Sequence, residues 1–170
     1  MKLLKISTNS HYLSKIEEIY NYSFPENERI NFEDMVNCKF SNSKLYAILK
    51  SNRLIGFTYI TLCNNFAYIV YLAIDKSQRN KGLGTLSINK ICNFYKNKTK
   101  VLCVEKPITE DPTKLRRIKF YERNGFLLAN FQFNYLEQDY FTMYNGPLNK
   151  QEFIECLNAC FPGCKDFKNI

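Results

Sequence analysis

The chain has 170 residues, 45% of them hydrophobic with 14 Phe and 12 Tyr, which excludes a disordered or fibrous protein and fits one packed domain. No apolar run approaches the ~20 residues that span a bilayer, and "MKLLKISTNSHYL" at the start lacks both an extended apolar core and a small-residue cleavage site, so no secretion signal is read and a cytoplasmic location is expected. The net charge of +8 is uneven, with thirteen Lys/Arg against four Asp/Glu in residues 76–123, eight against seven in 1–75 and three against five in 124–170.

"KLLKI" opens the chain as a short strand, and "YLSKIEEIYNYSF" follows as a helix with Leu13, Ile16, Ile19 and Tyr20 at helical spacing, stopped by Pro25. "NFEDMVNCKF" predicts a second helical piece. "KLYAILK", "LIGFTYITLC" and "FAYIVYLAI" are three strands separated by the turn-forming "SNR" and "NN", which favours an antiparallel meander. A glycine turn, "DKSQRNKGLG", leads into a helix over 84–97 and then the strand "KVLCVE". "TKLRRIKFYERN" is a further helix with Leu115, Ile118 and Phe120/Tyr121 on one face and Gly125 as its stop. "FLLANFQFNY" and "DYFTMY" close the sheet, and "NKQEFIECLNACF" reads as a terminal helix. The order β-α-α-β-β-β-α-β-α-β-β-α defines an α/β (α+β) domain with a mixed sheet. No repeat or linker divides it, so residues 1–170 are expected to be a single domain, with 149–170 a C-terminal helical extension.

The seven cysteines are odd in number and irregularly spaced. In a reducing compartment they read as small hydrophobes or exposed thiols. "CLNACFPGC" looks like a ligand cluster, yet Pro162 and Gly163 break the helix before Cys164, and the only histidine, His11, is distant in sequence. No metal site is expected there.

The basic excess begins at the glycine turn. It is either a solvated surface or the footprint of a polyanion, a small molecule or a nucleic acid. A Rossmann fingerprint fails because Ser87 stands where its third glycine is required, and no P-loop glycine is present. What remains is Arg79-x-x-Gly82-x-Gly84 at a helix start, where free amides and the helix dipole favour an anion and glycines allow close approach.

That loop, "LAIDKSQRNKGLG", together with the later "FYERNGF" (Phe120, Tyr121, Gly125, Phe126), resembles the GCN5-related N-acetyltransferase (GNAT) superfamily. The element order resembles that fold over nearly the whole chain, with a mostly antiparallel sheet of about six to seven strands flanked by helices. The resemblance implies acetyl coenzyme A (acetyl-CoA) as acyl donor. Its pyrophosphate would lie on the amides of Asn80, Lys81, Gly82, Leu83, Gly84 and Thr85, with the Arg79 side chain nearby. Backbone groups of Leu72, Ala73 and Ile74 would pair with its pantetheine arm as an added strand does. The amide near Ile74 would help hold an oxyanion.

Acetyl transfer to an amine needs a base for the nucleophile, a donor for the oxyanion and an acid for the departing thiolate. By its place in the motif, Tyr121 is the candidate acid; the alternative is a core tyrosine beside Phe120. Glu105, at the end of the strand after the cofactor helix, is the candidate base, directly or through water; the alternative is a glutamate paired with a lysine such as Lys106. Lys114 stands where many members of the family carry an asparagine; a lysine could still reach a phosphate but would not repeat an amide's hydrogen bonds.

The acceptor site in this family is shaped by the first helices and last strands. Here these supply Glu26, Glu28, Glu33 and Asp34, with Glu28 the candidate contact, and Phe131, Phe133 and Tyr135 followed by Glu137 and Asp139. An acidic, aromatic mouth suits a cationic amine; caps and core packing are the alternative for each piece. The readings rank as a direct-transfer acetyltransferase, then a non-catalytic acetyl-CoA-binding or sensor module, then a nucleic-acid binder, for which no signature is visible. No membrane partner is expected, and a homodimer stays open because the family often forms one.

Overall fold

In a computed structural model describing residues 1–39, 42–106 and 112–170, five helices and eight strands follow the expected order with one strand added at the end. These are β1 (Lys2–Lys5), α1 (Leu13–Ser23), α2 (Phe32–Val36), β2 (Ser43–Lys50), β3 (Arg53–Cys63), β4 (Phe66–Ile74), α3 (Leu83–Phe94), β5 (Thr99–Glu105), α4 (Pro112–Arg123), β6 (Leu127–Tyr135), β7 (Gln138–Asn145), α5 (Lys150–Cys160) and β8 (Lys165–Asn169). The strand order is β1-β2-β3-β4-β5-β7-β6-β8. β1–β2, β2–β3, β5–β7, β6–β7 and β6–β8 pair antiparallel, and β4–β5 pair parallel.

Turn chemistry explains the hairpins. Ser51 and Asn52 both have positive φ (48° and 59°) between β2 and β3, as do Leu136 and Glu137 (49° and 63°) between β6 and β7. Two successive left-handed residues match the right-handed twist of the flanking strands. α1 buries Ile16, Ile19 and Tyr20, and the amide of Phe24, the residue before Pro25, closes its last turn on the Tyr20 carbonyl. α2 is shorter than the sequence suggested, because Cys38 turns left-handed (φ 50°) after Asn37; Phe40, in the expected span, lies outside the described residues.

Internal contacts divide the chain into two compact units, 1–62 with 69–94, and 63–68 with 95–170. In the first, α1 and α2 cover β2, β3 and β4 through Ile16, Tyr20, Met35, Leu45 and Phe57. In the second, Phe153 of α5 meets Phe66, Tyr68 and Phe131 at ring-centroid distances of 5.8, 6.1 and 6.2 Å.

Three places in the second unit differ from what the sequence predicts. Phe131 and Phe133 are core rather than the lining of an aromatic mouth: Phe131 packs on Phe153, and Phe133 stacks between Tyr140 and Phe167 at 5.7 and 5.6 Å. Leu115 of α4 is 40% exposed, and Tyr121 is the buried residue of that helix. The end of the chain adds a strand to its helix: Phe131 pairs with Asn169, Gln132 with Lys168 and Asn134 with Lys165. "KDFKN" has one apolar residue, so β8 carried no alternation to announce it.

Candidate active site

The glycine loop, in the first unit, is built from short-range bonds. Asp75 closes β4 by donating its amide to the Ile55 carbonyl (2.9 Å). Its carboxylate accepts from the Ser77 amide (2.9 Å) and hydroxyl (2.8 Å), capping a single 3-10 turn over Lys76–Gln78. Asp75 is nearly buried. Burial by itself would raise its carboxyl, but the two Ser77 bonds and Lys15, 3.3 Å away, hold it below the ordinary value.

Asn80 and Gly82 then take positive φ (61° and 71°) and turn the backbone into α3. The first amide bond closing that turn runs from Leu86 to the Gly82 carbonyl at 3.2 Å. Amides ahead of it have no intrahelical acceptor, the condition that makes a helix start receptive to an anion. A Cβ on Gly82 would meet nothing within 4 Å, so open space lies over this turn. Leu83 is buried and anchors the loop, and Ser87, at the Rossmann-breaking position, is buried with its hydroxyl on the Leu83 carbonyl (2.7 Å).

Arg79 has partners within the protein. Its Nε donates to the Ile74 carbonyl (3.0 Å) and its Nη2 to the Ser23 hydroxyl (3.1 Å), with the guanidinium 5.7 Å from the Tyr22 ring. It braces the loop against the end of α1. Lys81 likewise bonds back to the Ser77 carbonyl (2.9 Å).

β4 pairs with β5 over Phe66–Tyr68; Leu72, Ala73 and Ile74 lie further along the strand, with Ala73 buried and its neighbours half-buried. Two residues that the sequence reading did not single out shape this backbone. A Cβ on Gly56 of β3 would lie 2.2 Å from the Ala73 carbonyl oxygen, so only glycine admits the approach of β4 there. Thr58, fully buried, donates its hydroxyl to the Tyr71 carbonyl at 2.8 Å. The lone glycine inside "LIGFTYITLC" was the signal for the first; nothing local marks the second.

Glu28 comes to the same unit through a clamp of aromatic side chains. The Tyr71 hydroxyl donates to the Glu28 carbonyl (2.7 Å) and accepts from the Ile30 amide (3.2 Å), while the Tyr20 hydroxyl donates to the Ile30 carbonyl (3.0 Å). Tyr20 and Tyr71 meet edge-on at 5.0 Å, and Phe24 joins Tyr71 at 4.7 Å. The acidic turn is thereby fixed to Tyr71, the residue before Leu72. Of the other acids, Asp34 pairs with Lys39 at 3.0 Å.

Tyr121 and Glu105 belong to the second unit. Tyr121 is nearly buried, flanked by Phe120 (5.1 Å) and Phe126 (5.6 Å). Desolvation pushes its phenol up to about 12, partly opposed by the charge of Arg117, so it keeps its proton at neutral pH. Glu105 forms an ion pair with Lys114 at 2.8 Å, both side chains largely enclosed. The partner is Lys114 of the next helix rather than the adjacent Lys106. Glu105 is therefore a glutamate paired with a lysine.

A strand that ends in a capped turn and enters a helix through a left-handed glycine is the backbone geometry of the loop that the motif singled out. The family model of the Acetyltransferase (GNAT) family matches residues 12–126. The chain belongs to this family and is an acetyltransferase. A GNAT-family protein of known structure from Bacteroides thetaiotaomicron is 25% identical, with a TM-score of 0.79 over 92% of this chain and 93% of that one. A Vibrio cholerae spermidine N-acetyltransferase chimera shares the fold at 16% identity and a TM-score of 0.66, covering 90% of this chain and 99% of its own. So does a Bacillus subtilis acetyltransferase in complex with CoA, at 14% and 0.61, covering 86% and 100%. No curated protein matches the chain.

Proposed function

We propose that the chain moves an acetyl group from acetyl-CoA to an amine by direct transfer in a ternary complex. The observation that carries this reading is the turn from Asn80 to Thr85: two left-handed residues, helix-start amides without intrahelical acceptors, and open space above Gly82. Those amides would receive the donor's pyrophosphate, and the backbone of Leu72, Ala73 and Ile74 would align its pantetheine arm. Arg79 acts here as a positioning residue, because two of its donors are already engaged within the protein.

Tyr121 is assigned as the acid that protonates the leaving thiolate, a role suited to a phenol that stays neutral at working pH. The Glu105–Lys114 pair makes water the better candidate to take the amine's proton, with Glu105 orienting it. Glu28, held by Tyr71, is assigned to the acceptor; a carboxylate there favours a cationic amine. The solved spermidine N-acetyltransferase neighbour supports this class of acceptor by fold alone. The sequence has one histidine, and its ring lies on Tyr12 at 3.9 Å, so an acetyl-enzyme assisted by a Cys-His pair is not part of the proposal.

One observation favours a second reading, a donor-binding module without turnover: the expected base is already engaged in an ion pair with Lys114. Thermal unfolding with acetyl-CoA, dephospho-coenzyme A and single-stranded DNA tests the shared premise. Saturation at a hundred times the dissociation constant stabilises by about 2.7 kcal/mol. A midpoint rise with acetyl-CoA that Gly82→Glu abolishes supports donor binding, and release of free thiol with a panel of amines separates enzyme from module. A shift with DNA alone would overturn both.

A further inference from the structure

Cys63 closes β3, while Cys156 and Cys160 stand one turn apart on α5, all three in the second unit. Their sulfurs all lie within 4.8 Å of one another. The Cys63 and Cys160 sulfurs are 3.6 Å apart, and the Cys63 thiol also faces the Cys156 carbonyl at 3.8 Å. None of the seven cysteines is in a disulfide. We infer that these three side chains form a binding site for a soft, thiophilic metal ion, held by three thiolates, none of which is assigned to acetyl transfer.

The dimensions agree with this assignment. Zinc–thiolate bonds are about 2.3 Å, which places sulfurs around one ion about 3.8–4.0 Å apart in tetrahedral or trigonal arrangements. The three thiols already approximate that triangle, so closing on an ion needs side-chain adjustment rather than refolding. Cys156 and Cys160 are each 5% exposed and Cys63 is half-buried, so the site is enclosed with one more open side.

The supports are rigid on both sides. Asn149 caps α5 by accepting from the Glu152 amide (3.1 Å), and Phe153, one turn before the thiols, is fully buried among Phe66, Tyr68 and Phe131. On the β3 side, Asn64 turns left-handed (φ 39°), and Lys98 donates to its carbonyl. The Lys98 charge acts on Cys63 and offsets part of the negative charge that bound thiolates would bring.

Cys164, the last cysteine of "CLNACFPGC", is not in the triangle. Nearness in sequence groups it with Cys156 and Cys160, whereas the fold gives the third place to Cys63 at the end of β3. Three thiolates suit copper(I) with no further ligand, or zinc(II) with one added from solvent. Uptake displaces the thiol protons, so binding weakens as pH falls.

The test is titration of reduced, metal-free protein with Zn2+ and, anaerobically, with Cu+, followed by native mass spectrometry and proton release. One ion per chain is expected, with protection of three thiols from alkylation. Cys160→Ser and Cys63→Ser should each abolish stoichiometric uptake, whereas Cys38→Ser should leave it intact. Circular dichroism checks that the variants fold, and Cys156→Ser serves if Cys160→Ser does not. Absence of uptake, uptake insensitive to Cys63→Ser, or a product two mass units lighter with Cys63 linked to Cys160 and no metal retained would overturn the proposal. The readout is independent of acetyl-CoA binding, so either reading can fail alone.

Discussion

Tyr121 and Glu105, the two side chains proposed for the chemistry, lie in different surroundings. Burial raises the Tyr121 phenol to about 12, as the proposed acid requires; Glu105 is engaged in an ion pair with Lys114 at 2.8 Å. Tyr121→Phe is therefore expected to lower kcat by about a hundredfold with KM little changed. A core-only role predicts unchanged kcat, and steady-state kinetics with the unfolding midpoint as control distinguishes them. The shift also carries a stability prediction. The folded phenol binds its proton more tightly than the unfolded one, whose ordinary value is 10.0. Its contribution is complete below pH ~10 and is lost as pH rises toward ~12. Denaturant midpoints across that range should fall less steeply in Tyr121→Phe; parallel profiles would remove the argument.

Among the elements, the pair β3–β4 shapes the backbone proposed for the donor's pantetheine arm. Gly56 lets the backbone come within a distance that no side chain permits, since its hypothetical Cβ meets the Ala73 carbonyl oxygen at 2.2 Å. That neighbour is main chain and cannot rotate away. Gly56→Ala is expected to cost about 2–3 kcal/mol and to weaken stabilisation by acetyl-CoA more than stability alone explains, because Ala73 belongs to the proposed pantetheine strand. Thermal shifts at matched fractions of folded protein measure this; an unchanged ligand shift would separate Gly56 from donor binding. The same strand carries Tyr71, which fixes the Glu28 turn, so the backbone proposed for the donor and the carboxylate proposed for the acceptor hang from adjacent residues.

For the molecule as a whole, the +8 charge is an attribute of the 76–123 segment, and it opposes the charge of a phosphate-bearing donor. Donor association should therefore slow as salt rises, the usual sign of electrostatic steering. We further propose that residues 1–170 unfold as one domain. Urea denaturation followed by tyrosine fluorescence and by circular dichroism should give coincident transitions. Two separated transitions would mean that the units seen in the contacts behave as independent folding bodies.

Element positions were legible in the sequence because their causes are local. Ile16, Ile19 and Tyr20 sit at helical spacing, paired turn residues mark the hairpins, and Gly82 and Gly125 adopt the left-handed backbone that their places in the motifs require. β8 escaped notice because "KDFKN" has no alternation, and its pairing depends on β6 already being in place. Partnerships across long stretches of chain could not be read. Local patterns state which face of an element is apolar but not which residue another element brings to it. Only the folded chain places Tyr71 on the Glu28 turn, buries Phe131 and Phe133 in a core, and gives Cys63 to Cys156 and Cys160. Their physical basis is topology: strand order decides which side chains meet, and meeting decides whether a glutamate finds a lysine, a phenol keeps its proton or three thiols come together.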